Sequence, residues 1–298
     1  MYLTFYTGTA FYVLAALAAL LYLRNANARF IAVSSYLLIA GMLLLIGTFA
    51  FRWAIYGHLP LTTMTDSINL LAVLTAPAIL LATRKTKEAD RPFTSSFILH
   101  PSSFHIGMPA LLCFYLPPLA VICLINAAVA HRFLCIEPRA LSNLLLSVHV
   151  GLAVLAYALF FLASMTSAAY LFQARHLKRH QTSELFRRLP SLAELDAALF
   201  GLIRYGYPVF IATLLLGLIW AFIDRNLLNS YWWLSPKVVL SYAMAAFYAA
   251  TFHLRRIGRL RGPKLAQLVF AGFFLLIVSY MALSILNLRG YHFWSSGP

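Results

Sequence analysis

The chain has 298 residues, of which 62% are apolar or aromatic and only 10% charged, with a mean hydropathy of +0.81. No water-soluble globule hides that much apolar surface, so composition excludes a soluble fold. The net charge of +15 would suit a nucleic-acid binder, but its placement along the chain belongs to membrane topology and no nucleic-acid partner is expected.

A hydrocarbon layer roughly 30 Å thick needs about 20 largely uncharged residues, at about 1.5 Å of helical rise each. Eight runs meet this: Tyr2 to Leu23, Ile31 to Phe51, Thr65 to Thr83, Met108 to Ala130, Leu141 to Gln173, Gly206 to Ile223, Pro236 to Leu254 and Leu265 to Leu288. None alternates like a barrel strand, and lipid cannot satisfy a bare backbone, so helices are expected. The expected fold is all-α, a polytopic transmembrane bundle of about eight helices forming one domain over residues 1–298. The first run starts at Met1 with no basic leader and no small-residue cleavage site, so it is expected to be retained as a helix.

With the amino end placed outside, 17 Lys and Arg residues fall in the inner connections and 6 in the outer ones. That is the positive-inside pattern, with both ends outside, in a bacterial-type inner (cytoplasmic) membrane crossed several times. Pro77 and the pair Pro117 and Pro118 fall inside the third and fourth runs, where lost backbone donors bend a helix. Cys113 and Cys123 lie in the fourth run and Cys135 in an outer connection. The absence of CxxC and CxxCH spacing argues against thiol redox chemistry and covalent haem attachment.

The longest inner connection, 174–205, opens with the basic stretch RHLKRH. Leu192, Leu195, Leu199, Leu202 and Ile203 then recur on one helical face, which predicts a short amphipathic helix at about 190–205 lying along the inner surface. It would serve as a spacer or as a dock for a cytoplasmic partner.

All five tryptophans fall on the outer side: Trp53, Trp220, Trp232, Trp233 and Trp294. An ordinary aromatic belt occupies both interfaces, so the one-sided set suggests a flat aromatic surface. The histidines sort by depth. His149 sits about 10 Å below the outer end of the fifth run, and His292 follows the eighth run on the same side. Two neutral imidazoles can hold haem iron on its two axial faces, with Trp232 or Trp233 stacked beside the ring. His58, in the outer stretch GHLPLTTMTDS, lies on that side too. His253 is about 26 Å from the outer end of the seventh run, near the cytoplasmic face, and cannot share a ligand with His149. A lone intramembrane histidine also serves as a structural hydrogen-bond partner, but ionisable groups at that depth are functional candidates by default. His100, His105, His131, His176 and His180 fall in connections and are read as solvated.

These features resemble the cytochrome c assembly family, the haem-handling membrane proteins that include the CcsA and HemX types. The landmarks are GHLPLTTMTDS at 57–67, the run HVGLAVLAYALFFLASMTSAAYLF from His149, the inner LKRHQTSELFRRLPSLAELD, IRYGYPVFIATLLLGLIWA, the loop NSYWWLSPKVVLSY, FHLRR and the terminal GYHFW. The resemblance implies that His149 and His292 are axial ligands of a non-covalent haem b beside a tryptophan-rich outer loop at 229–238. It implies that His253 belongs to an inner haem site, with His58 a further histidine of the first outer loop. The loop is a degenerate version: Leu234 and Ser235 stand where the family carries Trp-Asp, and Val238 where it carries Glu.

The implied role is haem handling and delivery across the membrane for cytochrome c biogenesis, with haem, a second membrane subunit of a synthetase and an apocytochrome c as partners. The alternative is a HemX-type regulator or scaffold for a cytoplasmic haem-synthesis enzyme, glutamyl-tRNA reductase, suggested by the RRLP and RLRGPKLA inner segments. No catalytic triad, phosphate loop, zinc motif or pair of acids appears, so a non-enzymatic part is expected. A transporter would call for inverted repeats with broken helices, and a quinol-oxidising cytochrome b for paired intramembrane histidines at each depth; the chain offers neither.

Overall fold

The computed structural model describes residues 2–25, 27–57, 59–61, 63–83, 109–130, 144–180, 184–223, 232–234 and 236–285. Among them every regular element is helical: α1 Tyr2–Asn25, α2 Ala28–Tyr56, α3 Met64–Thr83, α4 Leu112–Val129, α5 Leu144–Lys178, α6 Glu184–Arg188, α7 Leu192–Ile223, α8 Pro236–Arg256 and α9 Pro263–Ile285. Single 3-10 turns occupy Pro109–Leu111 and Trp232–Leu234.

Among the described residues, six stretches are long and apolar enough to cross a membrane: Tyr2–Asn25, Ala28–Ile55, Met64–Leu81, Pro109–Val129, Leu144–Lys178 and Leu192–Ile223. The seventh expected run is the helix α8 but stands outside these six, diluted by Ser241, Tyr242, Tyr248, Thr251 and His253. In α9, which runs to Ile285, the described apolar stretch is Pro263–Val278.

Long helices that follow one another in the chain run antiparallel. Near one end, the Thr48 hydroxyl of α2 donates to Thr4 of α1 at 3.0 Å, and Asn126 of α4 reaches Asn69 of α3 at 3.2 Å. At the other end, Gln173 of α5 donates to the Pro190 carbonyl before α7 at 2.9 Å, and Cys113 of α4 contacts the Ala19 carbonyl of α1 at 3.2 Å. We call these the His149 end and the His253 end, after the histidines they carry.

In lipid, helices associate through close packing and hydrogen bonds, since the apolar medium supplies little drive. The α1 face of Ala15, Ala16 and Ala19 is buried for that reason, and Gly41 of α2 lies so near Tyr12 that a Cβ there would sit 2.9 Å from the ring. The Tyr12 hydroxyl donates to the Ala72 carbonyl of α3 at 2.9 Å, so its burial leaves no bare polar group. On the other half, Phe160 of α5 stacks on Tyr248 of α8 with centroids 3.7 Å apart and meets Phe210 of α7 edge-on at 5.7 Å.

The surface helix expected at about 190–205 does not exist as a separate element. It is the first half of α7, continuous with the run from Gly206 to Ile223. A capping box starts the helix: the Glu194 carboxylate accepts from the Ser191 amide at 2.8 Å, while Ser191 Oγ accepts from the Glu194 amide at 3.3 Å. The apolar face read as membrane-surface facing is packed into the bundle, with Leu195, Leu199, Leu202 and Ile203 all buried. At about 1.5 Å per residue, α7 is about 48 Å long and α5 about 52 Å, so both outreach a hydrocarbon layer at the His253 end.

Candidate ligand site at the His149 end

The stretch GHLPLTTMTDS builds the floor of this end through local chemistry. Gly57 ends α2 in the left-handed region at φ 75°, its amide bonded to the Trp53 carbonyl at 2.9 Å. Around Pro60, the Leu61 amide returns to the Leu59 carbonyl at 2.9 Å, a three-residue turn suited to the fixed proline φ. Thr63 then caps α3, its hydroxyl accepting from the Asp66 amide at 3.2 Å and donating to the Asp66 carboxylate at 2.6 Å.

The same Asp66 meets Arg52 of α2 at 3.3 Å, and both side chains are 1% exposed. Around the pair, Asn126 of α4 donates to Asn69 at 3.2 Å and to the Thr65 carbonyl at 3.4 Å. Three helices are thus tied by one buried polar cluster. Burying two charges is costly, and removing one partner strands the other, so such a pair fixes register more than it adds stability. Leu61 packs toward α5, 3.9 Å from where a Cβ of Gly151 would lie, which sets the connection after α2 two residues from His149.

His149 is half-buried on α5 and held by α7. Its Nδ1 lies 2.8 Å from the Thr213 carbonyl, so Nδ1 carries the proton and Nε2 keeps its lone pair. The ring lies against α7 at Gly217, where a Cβ would fall 2.6 Å from Cε1. Only glycine admits that approach. Trp220 shares this face of α7 by its spacing from Thr213 and Gly217, and its buried Nε1 has no hydrogen-bond partner among the described residues. An oriented imidazole beside an unsatisfied indole donor suits a ligand that brings a metal and an anionic or carbonyl oxygen.

The other expected site residues are placed as follows. His58 and His292 lie outside the described residues, as does the side chain of Trp232. Trp233 is half exposed in the 3-10 turn before α8, and Trp53 is exposed at the end of α2, both at the His149 end. His253 is in the last turn of α8 at the opposite end, exposed, beside Phe252. Its neighbour Arg255 pairs with Asp196 of α7 and lies over the Phe200 ring at 5.3 Å. Among the described residues no three metal-binding side chains converge.

The sequence placed Trp220 by depth only and gave Thr213 and Gly217 no part. A small residue four positions after a threonine on a face ending in tryptophan was the available signal. His176, read as solvated in a connection, is a half-buried residue of α5.

The family model described as cytochrome C assembly protein matches residues 61–289, more than half of the chain. Relatives include Protein HemX of Bacillus subtilis (strain 168), 30% identical over 51% of this chain and 53% of its own length, and Protein HemX of Brevibacillus brevis, 33% identical over 47% and 51%. The matched stretch therefore spans about half the length of each HemX relative. Cytochrome c biogenesis protein CcsA of Prochlorococcus marinus (strain MIT 9312) is 26% identical over 80% of this chain and 77% of its own length. No solved structure matches. Six apolar helices and this match together describe a multi-pass membrane protein, and the chain belongs to the cytochrome c assembly family.

Proposed function

We propose that the protein binds haem and handles it across the membrane for cytochrome c biogenesis. The observation that carries this is the His149 imidazole, fixed by the Thr213 carbonyl with Nε2 left for a metal. Metal-ligating histidines commonly donate their other nitrogen in this way. In this reading His149 and His292 would hold the iron of a non-covalent haem b. Trp232 and Trp233 cover its face, Trp220 Nε1 offers a donor to its polar edge, and the buried Arg52 and Asp66 pair holds the connection carrying His58 against α5. The His149 end then faces outside and the His253 end the cytoplasm, a reading that the charge distribution supports. His253 would complete an inner haem site with a second membrane subunit, and an apocytochrome c would receive the haem outside. The host is a bacterial inner membrane.

The test is the absorption spectrum of protein purified after haem-replete expression. A Soret band is expected that is lost in His149→Ala and in His292→Ala; a band unchanged by both substitutions would overturn the assignment.

A second reading is favoured by the HemX relatives, at 30% and 33% identity, and by the basic residues from Arg175 to Arg188 at the His253 end. There the protein regulates or scaffolds a cytoplasmic haem-synthesis enzyme, glutamyl-tRNA reductase. Replacing Lys178 and Arg187 by Gln would change the abundance of that enzyme while leaving the haem spectrum intact; unchanged abundance would count against it.

A further inference from the structure

At the His253 end, on the side of the bundle formed by α4, α5 and α9, a cleft of about 620 Å³ opens, within the size range of cofactor sites. Its walls are apolar and aromatic, with Phe114 from α4, Phe172 from α5 and Phe270 from α9. Its rim is cationic: Arg175 in the last turn of α5 and Arg179 just past the end of that helix, its amide bonded to the Arg175 carbonyl at 3.1 Å, flank His176. No acid among the described residues pairs with either guanidinium. The His176 Nδ1 lies 3.0 Å from the Phe172 carbonyl of its own helix, which puts the proton on Nδ1 and leaves Nε2 as a donor of electrons to a metal. The Phe172 ring lies 4.1 Å from the imidazole and carries the aromatic wall up to it.

A positive rim alone is what topology demands at an inner face, and such side chains ordinarily reach into water. These two are exposed as well, but they also edge a cavity with three phenylalanines and a half-buried imidazole. The matching ligand has a flat apolar body, carboxylates at one edge and a metal at its centre. We propose that this cleft is an iron-porphyrin site in its own right, distinct from the His149 end and from His253. The porphyrin carboxylates pair with Arg175 and Arg179, His176 Nε2 ligates the iron, and the ring lies among Phe114, Phe172 and Phe270. This rests on the haem reading above and gives it a cytoplasmic loading point.

The experiment uses the full chain in detergent with His58→Ala, His149→Ala, His292→Ala and His253→Ala in place, which removes every other histidine assigned to haem. Haemin is titrated and the Soret band followed, with metal-free protoporphyrin as a second probe. Saturable haemin binding is expected, weakened about tenfold or more by Arg175→Ala with Arg179→Ala, since charge-assisted pairs are lost. His176→Ala should shift the haemin spectrum, with added imidazole restoring it, and leave protoporphyrin binding unchanged. Imidazole rescue shows that the variant is folded. Haemin binding indifferent to both the arginine and the histidine substitutions overturns the proposal. So does loss of co-purifying phosphatidylglycerol in the arginine variant with haemin binding intact, which would make the cleft a lipid headgroup site. Failure at the His149 end is read separately, from His149→Ala and His292→Ala in the otherwise native chain.

Discussion

The guanidinium of Arg52 and the carboxylate of Asp66 meet at 3.3 Å across the connection between α2 and α3, each 1% exposed. Breaking a buried pair by removing one member strands the other, at a cost of about 3–5 kcal/mol, whereas replacing both by apolar residues of similar volume is often near neutral. Asp66→Asn should therefore lower the unfolding temperature in detergent more than the double change of Arg52→Met with Asp66→Leu. If the double variant is the less stable one, the pair contributes stability directly and not register.

The contact of His149 with Gly217 gives a cleaner probe of the proposed haem site. A methyl at 217 would lie 2.6 Å from Cε1, so Gly217→Ala must push the imidazole off the α7 backbone and away from the Thr213 carbonyl. Alanine also raises helix propensity by about 0.8–1 kcal/mol, so the helix itself gains. Haem affinity should fall about 10- to 100-fold, the range for disturbing the group that orients a ligand, with helical content by circular dichroism unchanged. Haem retained at native affinity would mean that His149 is held by some other contact.

Trp220 separates packing from hydrogen bonding. Its buried Nε1 has no partner among the described residues, and Trp220→Phe removes that donor while keeping an aromatic ring. If the indole donates to a charged edge of the ligand, its loss costs about 1.5–3 kcal/mol, seen as weaker haem retention on titration with a competing apoprotein. The unfolding temperature of the haem-free protein should stay level or rise, because an orphaned buried donor is gone.

The orientation has a direct readout. Cys113 is half-buried, bonded to the Ala19 carbonyl, and Cys123 is buried, so neither should react with an impermeant maleimide. Cys135 is expected outside and should label in intact cells, while a cysteine placed by Ser183→Cys should label only after permeabilisation. The reverse pattern would put the His149 end in the cytoplasm.

The helices and the family were legible in the sequence, because long apolar runs and the strings from GHLPLTTMTDS to FHLRR need no tertiary knowledge. The polar cluster was not. Arg52 and Asp66 lie at the tips of apolar runs, where a charge ordinarily marks water, and only the short turn through Pro60 folds one onto the other. The face of Thr213, Gly217 and Trp220 was hidden for another reason: its meaning depends on which helix α5 packs against. Leu195, Leu199, Leu202 and Ile203 misled in the opposite sense, since an amphipathic stripe looks alike whether it faces a membrane surface or a neighbouring helix.

That stripe turns inward partly because α7 is tied to α8 at the same level. Arg255 pairs with Asp196, with side chains 16% and 21% exposed, and its guanidinium lies 5.3 Å from the Phe200 centroid. Phe252, one residue before His253, stacks between Phe200 and Tyr207 of α7 at 6.0 and 5.4 Å. A pair this accessible contributes about 0.2–1 kcal/mol and the ring contact about 0.5–1 kcal/mol, too little to hold the bundle but enough to set where the last turn of α8 ends. Asp196→Ala should hence leave the global unfolding temperature almost unchanged, yet speed tryptic cleavage among Arg255, Arg256, Arg259 and Arg261 as that turn frays. Exchanging the charges, Asp196→Arg with Arg255→Asp, should restore resistance if the ion pair is what anchors the turn. Cleavage as slow in Asp196→Ala as in the native chain would assign the anchoring to Phe252 alone, since the aromatic stack survives the loss of the carboxylate.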